Sequence, residues 1–534
     1  MRLTLKGIEE GAFLEKGYRT PQFDIPAVRA RTERAPLWLH FGTGNLVRAF
    51  PAVLCQRLIE AGFMDSGMVL VKCSDDDAIE KVFSPHDCLT LAVSLKGDGS
   101  MSKQVVASIA SVLSWPAARE RLEGYFSHPS LQLVTLTITE KGYSVAPDEG
   151  CPLSARTEDP ASRPAPLSTL AVLTGLMFRR YEAGQGKVAL VSLDNCSHNG
   201  TVLKDAMTAL AKNWARCGLV DGAFPDYLHD ETRVSFPWTM IDKITPGPSE
   251  EVIRVLREEG LEDVRIVRSS KGVPLSAVVN AEEFEMLAIE DSFPNGRPPL
   301  EKAGVLFGAK DTIDRIEKMK VCTCLNPLHT ALAVFGCLLS HTRISEEMKD
   351  PLLVNLIRKI GYDEGLPVVT NPEVIDARRF LDEVVERRLP NPFLPDTPQR
   401  IACDTSKKIP VRFGETLKAY VAGGRQDLSF LTFIPLLFAG YARYLCGVND
   451  AGKSFTPSPD PNLERLSALM SGFVLGERFD RTRLRTLFSD ASIFGVDLCE
   501  HGLGDKTEGL FFEMSQGQGA IRETLARYLE GDGP

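Results

Sequence analysis

Short apolar runs alternate with amphipathic stretches over the first 300 residues of the chain. The runs that predict buried strands cover residues 36–41, 68–73, 131–139 and 188–193. The first run ends in Gly42-Thr43-Gly44-Asn45, and a mostly helical pattern follows it to Ala61. Strand, glycine turn, helix and strand in this order predict a βαβ unit with parallel strands. The whole pattern predicts an α/β fold with a doubly wound, mainly parallel sheet.

From about Gly304 onward, helical periodicity dominates and β-rich runs are few. We therefore divide the chain into an α/β domain over residues 1–300 and a mostly α-helical domain over residues 301–534. Residues 146–166 are rich in Pro, Ser, Asp and Glu, which predicts an exposed insertion. The most apolar stretch, 431–448, is too short to span a bilayer and is interrupted by Pro435 and Arg443, so it predicts a buried helix.

Composition excludes several classes of protein. A chain of 534 residues with 43% hydrophobic and 25% charged residues is expected to be globular, with more than one domain. The net charge of −10 argues against a nucleic-acid partner, which requires a basic face. No secretory signal opens the sequence and no membrane partner is expected, so the predicted location is cytoplasmic. The twelve cysteines form no C-x-x-C pair, which indicates reduced thiols and no zinc site.

The glycine turn is a candidate dinucleotide site. Gly42, Thr43, Gly44 and Asn45 could let a pyrophosphate approach the backbone at a helix N-terminus, although Val47 stands where a third glycine is usual. Asp75 follows the second predicted strand and could bind the adenosine ribose hydroxyls. Its charge would repel a 2′-phosphate, which favours NAD over NADP. For the next two aspartates, 76 and 77, a role in ribose binding and a place in a solvated helix N-cap and first turn are equally compatible with the sequence.

Two polar clusters are candidates for catalysis. Lys320, Asn326 and His329 lie within ten residues of mostly apolar sequence, and the Asn-Pro pair predicts an N-cap and the first helical residue. A lysine could exchange a proton with a substrate oxygen, while an amide and an imidazole stabilise negative charge on it. The alternative is a capped helix with a core histidine and a surface lysine. In the second cluster, Asn195 could bind the same oxygen, or Asp194 could be a cap and Asn199-Gly200 a turn.

Five segments together resemble the long-chain mannitol dehydrogenase family. They are HFGTGNLVRAF at 40–50, TLTITEKGY at 135–143, LDNCSHNG at 193–200, MIDKITP at 240–246 and IEDSFPNGRP at 289–298. The resemblance implies an N-terminal Rossmann-type domain, a mostly α-helical C-terminal domain and an NAD(P)-dependent oxidoreductase that uses no metal. It also implies that Thr139 and Glu140, in the second segment, contact the cofactor, and that Arg48 anchors either the cofactor phosphates or the turn.

The family's catalytic segment is similar to residues 317–329. The resemblance implies that Lys320 is the general acid and base, that Asn326, His329 and Asn195 hold the substrate oxygen, and that Glu317 exchanges protons. Five residues separate the lysine from Asn326, one more than in the family, so a one-residue bulge is expected between them. Lys318 is the alternative acid and base. Further matches imply substrate-binding roles for Asp242, Arg400 and Lys408.

The expected substrate is a six-carbon sugar acid or ketose. The chain is longer than expected for the mannitol enzymes of the family, and its NPLHTALAVFG segment at 326–336 differs from theirs. Both features favour the sugar-acid branch of the family. The resemblance then implies reduction of D-fructuronate to D-mannonate with NADH. Reduction of fructose to mannitol or of tagaturonate is the alternative, and a nucleotide-binding scaffold without turnover is a further one. The sequence leaves the oligomeric state open.

Overall fold

The computed structural model describes residues 1–146, 149–152 and 168–530. The chain forms two compact units, an amino-terminal unit of Met1–Lys96 and Ser100–Asp314 and a carboxyl-terminal unit of Gly97–Gly99 and Arg315–Pro534. The boundary placed at residue 300 from sequence stays a prediction. Most of the insertion expected at 146–166 lies outside the described residues.

All fourteen strands among the described residues belong to the amino-terminal unit. They are β1 (Trp38–Phe41), β2 (Met68–Lys72), β3 (Thr90–Leu95), β4 (Met101–Val106), β5 (Ile109–Ser114), β6 (Leu133–Leu136), β7 (Val188–Ser192), β8 (Val234–Ser235), β9 (Thr239–Asp242), β10 (Val267–Arg268), β11 (Pro274–Leu275), β12 (Val278–Glu282), β13 (Met286–Glu290) and β14 (Leu306–Gly308).

A parallel sheet with the order β5-β2-β1-β6-β7-β8 forms the centre of the amino-terminal unit, as far as the described residues show. All four residues of β1 and all four of β6 are buried, because helices cover both faces of the sheet. The predicted doubly wound, mainly parallel sheet is confirmed. Chain order reverses between β1 and β6, and in such sheets ligands bind beyond the carboxyl ends of the strands at this switch point.

Small mixed and antiparallel sheets flank the parallel sheet and were not predicted. Their orders are β12-β3-β4, β14-β13-β9 and β10-β11. β3 pairs with β4 as an antiparallel hairpin, whereas β12 pairs with β3 in parallel from far along the chain. Such long-range pairing leaves no local signal in the sequence, because strand register depends on tertiary packing.

The helices of the amino-terminal unit before residue 300 are α1 (Leu5–Glu9), α2 (Ala12–Glu15), α3 (Ile25–Arg34), α4 (Asn45–Ala49), α5 (Pro51–Glu60), α6 (Arg119–Phe126), α7 (Thr169–Glu182), α8 (Asn199–Arg216), α9 (Phe224–His229) and α10 (Glu250–Glu258). Short π and 3₁₀ turns accompany them at Ile79–Phe83, Ser84–His86, Glu140–Tyr143 and Leu300–Ala303.

After residue 309, helices dominate, as predicted. They are α11 (Lys310–Met319), α12 (Asn326–Leu338), α13 (Ile344–Glu347), α14 (Pro351–Arg358), α15 (Ala377–Glu383), α16 (Pro398–Ile401), α17 (Thr405–Arg412), α18 (Gly414–Ala422), α19 (Phe433–Leu445), α20 (Leu463–Leu469), α21 (Arg481–Phe488), α22 (Ala491–Phe494), α23 (Gly504–Glu513) and α24 (Ala520–Glu530). Between them lie the π-helical turns Lys320–Cys324, Lys359–Gly365 and Val384–Arg388 and the 3₁₀ turn Leu366–Val368.

Two apolar helices form the core of the carboxyl-terminal unit. Almost every residue of α12 and α19 is buried, and the predicted buried helix at 431–448 is confirmed by α19. The helical stretch Lys310–Leu338 has the length and apolar composition that a membrane crossing needs, yet 72% of its apolar window is buried inside the structure. A core helix has the same properties, so this stretch is weak evidence for a membrane.

Glu347 places a carboxyl group inside this core. The side chain is fully buried beside α12, and a Cβ at Gly336 would lie 2.0 Å from its Oε1, so only glycine leaves room for it. Neither carboxyl oxygen has a hydrogen-bond partner among the described residues. Burial, with the nearby charge of Asp350, raises the pKa of Glu347 from its usual 4.5 to about 10. The group is therefore protonated in the folded state at neutral pH.

We expect Glu347 to make the protein less stable as pH rises. Between pH 4.5 and about 10 the folded state keeps the proton and the unfolded state releases it. The free energy of unfolding therefore falls with rising pH in that window, by about 1.4 kcal/mol per unit for one proton, and the stabilisation is complete below it. Glu347→Gln cannot titrate and should flatten the pH dependence. Calorimetric melting from pH 5 to 9 measures the difference.

Glu346→Gln is the matched control for this prediction. Glu346 lies next to Glu347 on α13 but is exposed, so its substitution should leave the slope of stability against pH unchanged. Equal slopes for the parent protein and Glu347→Gln would show that Glu347 is already ionised in the folded state.

Candidate functional site

The glycine turn lies at the switch point of the parallel sheet. Gly42 directly follows β1, and its φ of 132° is in a region that side chains other than glycine rarely adopt. A Cβ there would lie 2.7 Å from Thr137 Oγ1, just after β6. The amide of Gly42 donates to the carbonyl of Val71, near the end of β2, at 3.0 Å. Glycine therefore lets the loops after β1 and β6 approach each other closely.

Arg48 fastens the turn to the rest of the unit. Its side chain is buried, its Nη1 donates to the carbonyl of Ser276 at 2.7 Å, and its Nη2 donates to Asn45 Oδ1 at 2.9 Å. Its Nε donates to the carbonyl of Gly44 at 3.4 Å. Burial lowers the pKa of Arg48 to about 10, so it remains charged at neutral pH. Of its two expected roles, this geometry favours anchoring the turn. Thr43 is partly buried in the same turn.

The acidic segment after β2 divides into two environments. Asp75 is partly exposed, 3.9 Å from Lys72 Nζ and 3.5 Å from Lys271 Nζ. Asp77 is buried instead and accepts hydrogen bonds from the amide of Ser270 at 2.8 Å and from its hydroxyl at 2.6 Å. The solvated first-turn interpretation is therefore wrong for Asp77. Asp75 keeps an accessible carboxylate at the carboxyl end of β2, where a ribose would bind.

Asp194 holds the loop that follows β6. Its carboxylate accepts hydrogen bonds from the amides of Ile138 at 2.9 Å and Thr139 at 3.0 Å, and from the Tyr143 hydroxyl at 2.8 Å. Thr139 has a φ of 63°, which costs a non-glycine residue free energy unless its surroundings impose it. Thr139 and Glu140 are both exposed at the switch point. The helix-cap interpretation of Asp194 is wrong, because its carboxylate binds residues of the loop after β6 and His198 takes the cap position of α8.

The loop after β7 separates two asparagines with different surroundings. Asn195 is exposed. Asn199 is buried and begins α8, with Nδ2 donating to Thr239 Oγ1 at 2.8 Å and Oδ1 accepting from the amide of Thr239 at 3.0 Å. Asn199-Gly200 is therefore not a simple turn, because it links the loop to β9. Asp242 ends β9, where it is 4% exposed.

In the carboxyl-terminal unit, Lys320 opens a π-helical turn. The turn Lys320–Cys324 joins α11 to α12, so the segment before Asn326 is helical, although an N-cap at Asn326 predicts a non-helical segment there. A π-helical turn holds one residue more than an α-helical turn, which accommodates the extra residue noted in the sequence. Lys320 is 6% exposed, whereas Lys318 is exposed on α11. Glu317, one turn before Lys320, is partly buried.

Asn326 and His329 share the first turn of α12. Asn326 is the first residue of this helix, and Leu325 takes the cap position that the sequence suggested for Asn326. The reason is that the chain is already helical before it: Leu325 donates its amide to the carbonyl of Lys320 at 3.1 Å, and His329 donates to that of Leu325 at 3.1 Å. The cap is therefore shifted by one residue. Lys320, Asn326 and His329 remain on consecutive helical turns.

Burial and positive charge keep His329 neutral. Its side chain is 16% exposed, and Nε2 lies 3.4 Å from Asp396 Oδ2 without the geometry of a hydrogen bond to any described residue. Its pKa falls to about 3, mainly because of burial and then because of the charges of Arg412, Arg400, Arg388 and Lys408. A neutral imidazole can donate one hydrogen bond and accept another. It could therefore act on a substrate oxygen without carrying charge.

The predicted substrate-binding cations surround His329, with two further arginines. Arg400 is exposed and forms an ion pair with Asp396. Lys408 donates to the carbonyl of Ile401 at 2.9 Å and to that of Cys403, and burial lowers its pKa. Arg388 and Arg412 were missed from sequence. No local pattern marks them, because the π-helical turn Val384–Arg388 and α17 bring them to His329 only in the folded unit.

These surroundings suit proton exchange beside an anionic ligand. A buried lysine, a neutral imidazole and an amide on successive turns could exchange a proton with a carbonyl oxygen and stabilise charge on it. Among the described residues, no group of three or more His, Cys, Asp or Glu side chains is placed to hold a metal ion. The roles of the individual residues stay predictions.

Comparison with known proteins identifies the family. Residues 37–302 match the mannitol dehydrogenase Rossmann domain, and residues 312–503 match the mannitol dehydrogenase C-terminal domain. The D-mannonate oxidoreductase of Thermotoga maritima is 45% identical over 533 residues, which cover 98% of each chain. The mannitol 2-dehydrogenase of Neosartorya fischeri is 29% identical over 468 residues, 85% of this chain and 86% of that protein.

Solved structures agree with this assignment. A D-sorbitol dehydrogenase in substrate-free form superposes with a TM-score of 0.77 at 25% identity, covering 95% of this chain and 97% of its own. Pseudomonas fluorescens mannitol 2-dehydrogenase, in a ternary complex with NAD and D-mannitol, gives a TM-score of 0.65 at 25% identity, with coverage of 99% and 100%. The enzymatic interpretation is thus supported over a scaffold without turnover. The chain belongs to the mannitol dehydrogenase family and is an oxidoreductase that acts on CH–OH groups with a nicotinamide cofactor.

Proposed function

We propose that the protein catalyses the NAD-dependent reduction of D-fructuronate to D-mannonate, and the reverse reaction, without a metal. The observation that carries the proposal is the neutral His329 beside Asn326 and the buried Lys320, in surroundings rich in positive charge. Such surroundings favour a substrate that carries a carboxylate. The 45% identity to a D-mannonate oxidoreductase over 98% of the chain supports the same substrate pair.

Lys320 supplies the proton in this proposal. Bound nicotinamide provides the hydride that reduces the keto carbon. Lys320 donates its proton to the carbonyl oxygen as negative charge develops there, and Asn326 and the neutral His329 donate hydrogen bonds to the same oxygen. Glu317, one helical turn away, returns a proton to Lys320 from solvent. The resemblance also assigns Asn195 to the oxygen, and Asp242, Arg400 and Lys408 to the rest of the substrate.

The cofactor half of the proposal places the dinucleotide at the switch point of the parallel sheet. The pyrophosphate would bind at the turn that follows Gly42, with Thr43, Gly44 and Asn45 around it. Thr139 and Glu140 would contact the cofactor from the neighbouring loop. Asp75 would accept hydrogen bonds from the ribose hydroxyls, which makes NAD the preferred cofactor.

Reduction of fructose to mannitol is the second candidate. Its specific support is the superposition on a mannitol 2-dehydrogenase whose structure contains NAD and D-mannitol. The charge of Arg412 beside His329 weighs against it, because an uncharged polyol has no carboxylate to pair with this arginine. The relative rates with D-fructuronate, D-tagaturonate and D-fructose decide between the candidates.

Lys320→Ala should lower kcat with D-fructuronate by about 10²- to 10⁴-fold, the usual contribution of a general acid. NADH binding, measured by the fluorescence of the reduced nicotinamide, should persist. Lys318→Ala should retain most of the turnover, because Lys318 is exposed. If Lys318→Ala loses turnover in the NADH oxidation assay and Lys320→Ala retains it, the general acid is Lys318.

Asp75→Ala should shift the preference between cofactors towards NADPH by about tenfold or more. The substitution removes the negative charge that repels a 2′-phosphate. It leaves the positive charges of Lys72 and Lys271, which lie close to residue 75 and attract the phosphate. The measurement is the ratio of kcat/KM for NADPH and NADH. An unchanged ratio, with a shift in Ser74→Ala or Asp76→Ala, would move the role to one of those neighbours.

Asp194→Asn should weaken NADH binding by about tenfold, because one charge-assisted acceptor is worth about 1.5 kcal/mol or more. The amide cannot accept from both loop N–H groups and the Tyr143 hydroxyl as the carboxylate does, so Thr139 would leave its strained conformation. Titration by NADH fluorescence measures the Kd. Asp205→Asn, an exposed change on α8, is the control. Unchanged NADH affinity in Asp194→Asn would show that the loop after β6 does not contribute to cofactor binding.

A further inference from the structure

Arg412 lies beside both segments that carry the proposed chemistry. It ends α17, and its Nη1 donates to Thr330 Oγ1 at 2.6 Å and to the carbonyl of Asn326 at 3.3 Å, on the first turns of α12. Thr416, one turn further along, donates its hydroxyl to the carbonyl of Cys322 at 3.1 Å. The guanidinium is thereby fixed on the first turns of α12, and Cys322 of the Lys320–Cys324 turn is near enough to affect the pKa of Arg412.

The charge of Arg412 has no counter-ion among the described residues. Both of its acceptors are neutral oxygens, and no carboxylate of the described residues lies within 4.0 Å of its guanidinium. Burial lowers the pKa of Arg412 to about 10, so the group keeps its charge at neutral pH. Arg412 is partly buried, and a partly desolvated cation without an anionic partner is less favourable than a paired one.

The other cations around His329 are already engaged. Arg400 is exposed and pairs with Asp396. The ammonium of Lys408 donates to main-chain carbonyls at the end of α16. By contrast, Nε and Nη2 of Arg412 donate to no residue within the described parts of the chain, and an arginine fork matches the two oxygens of a carboxylate.

We propose that Arg412 binds the carboxylate of the sugar-acid substrate and is the residue that selects a sugar acid over a neutral ketose. This inference rests on the proposed function, since it assigns the anionic end of that substrate. In D-fructuronate the carboxylate and the keto group are at opposite ends of the chain. Arg412 can therefore bind the carboxylate while Lys320, Asn326 and His329 act on the keto oxygen.

The test compares Arg412→Gln and Arg412→Lys with the parent enzyme, using D-fructuronate and D-fructose as substrates and NADH as reductant. Arg412→Gln should lower kcat/KM for D-fructuronate by about 10- to 100-fold, mainly through KM, because a charge-assisted bond contributes about 1.5–3 kcal/mol. Activity with D-fructose should change by less than about threefold. For Arg412→Lys, kcat/KM for D-fructuronate should lie between those of the parent enzyme and Arg412→Gln, because lysine keeps the charge but lacks the two-pronged geometry of the guanidinium.

Lys407→Gln is the matched control, with the same change of charge on the same helix at an exposed position. It should leave the ratio of kcat/KM for the two substrates unchanged. Circular dichroism and the Tm establish that each variant is folded. An equal loss with both substrates in Arg412→Gln would overturn the inference.

Thr330→Val separates substrate binding from support of α12. It removes the 2.6 Å bond that fixes Arg412 to this helix but keeps the guanidinium. Under the proposal, Thr330→Val keeps the preference for D-fructuronate. If it reproduces the loss of preference in Arg412→Gln, Arg412 acts by positioning α12 and the proposal is wrong.

A direct binding measurement distinguishes failure of this inference from failure of the proposed function. If the parent enzyme does not reduce D-fructuronate, the proposed function is wrong. Calorimetric titration of the NAD-loaded enzyme with D-mannonate and with D-mannitol still tests Arg412. Selective loss of D-mannonate binding in Arg412→Gln supports the inference, and unchanged binding or equal loss of both ligands overturns it.

Discussion

The parallel pairing of β1 with β2 on one side and β6 on the other is the constraint on which the amino-terminal unit depends. The register aligns Phe41 with Val71 and with Leu136, so the three strands end at one edge of the sheet. Every candidate cofactor loop begins at that edge. The close approach at Gly42 is a direct consequence, because the loops after β1 and β6 leave adjacent strands at the same level.

Because desolvation is unfavourable for a charge, the hydrogen-bond partners of each charged side chain in the interior distinguish a structural role from a ligand-binding role. Arg48 is buried but donates to three acceptors in and around the glycine turn. Glu364 is buried at the start of α19 and accepts hydrogen bonds from the amides of Thr432, Phe433 and Ile434, although burial still raises its pKa. Arg412 donates through Nη1 alone, to two neutral oxygens, whereas Arg48 uses all three of its side-chain nitrogens. Under our proposal, an anion from outside the chain binds the remaining donors of Arg412.

The π-helical turn at 320–324 connects local backbone geometry to the proposed chemistry. An ordinary α-helical continuation from α11 would rotate Lys320 relative to Asn326, since each added residue turns a helix by about 100°. The wider turn absorbs the additional residue and keeps the lysine buried while Lys318 faces solvent. The same turn receives the Thr416 hydroxyl at Cys322, which ties α18 to it. Its shape is therefore maintained by tertiary contacts as well as by its own hydrogen bonds.

The sequence by itself determined the βαβ unit, the parallel sheet, the helical second half and the polar positions from which the candidate site is built. These features follow from local periodicity, glycine turns and spacing, and from the resemblance that the short segments carry. The small flanking sheets, the support of Thr139 by Asp194, the buried carboxyl of Glu347 and the positions of Arg388 and Arg412 near His329 were decided only by the tertiary structure. Each depends on residues far apart in the chain, whose burial and partners no local pattern encodes, because desolvation and hydrogen bonding are properties of the packed environment.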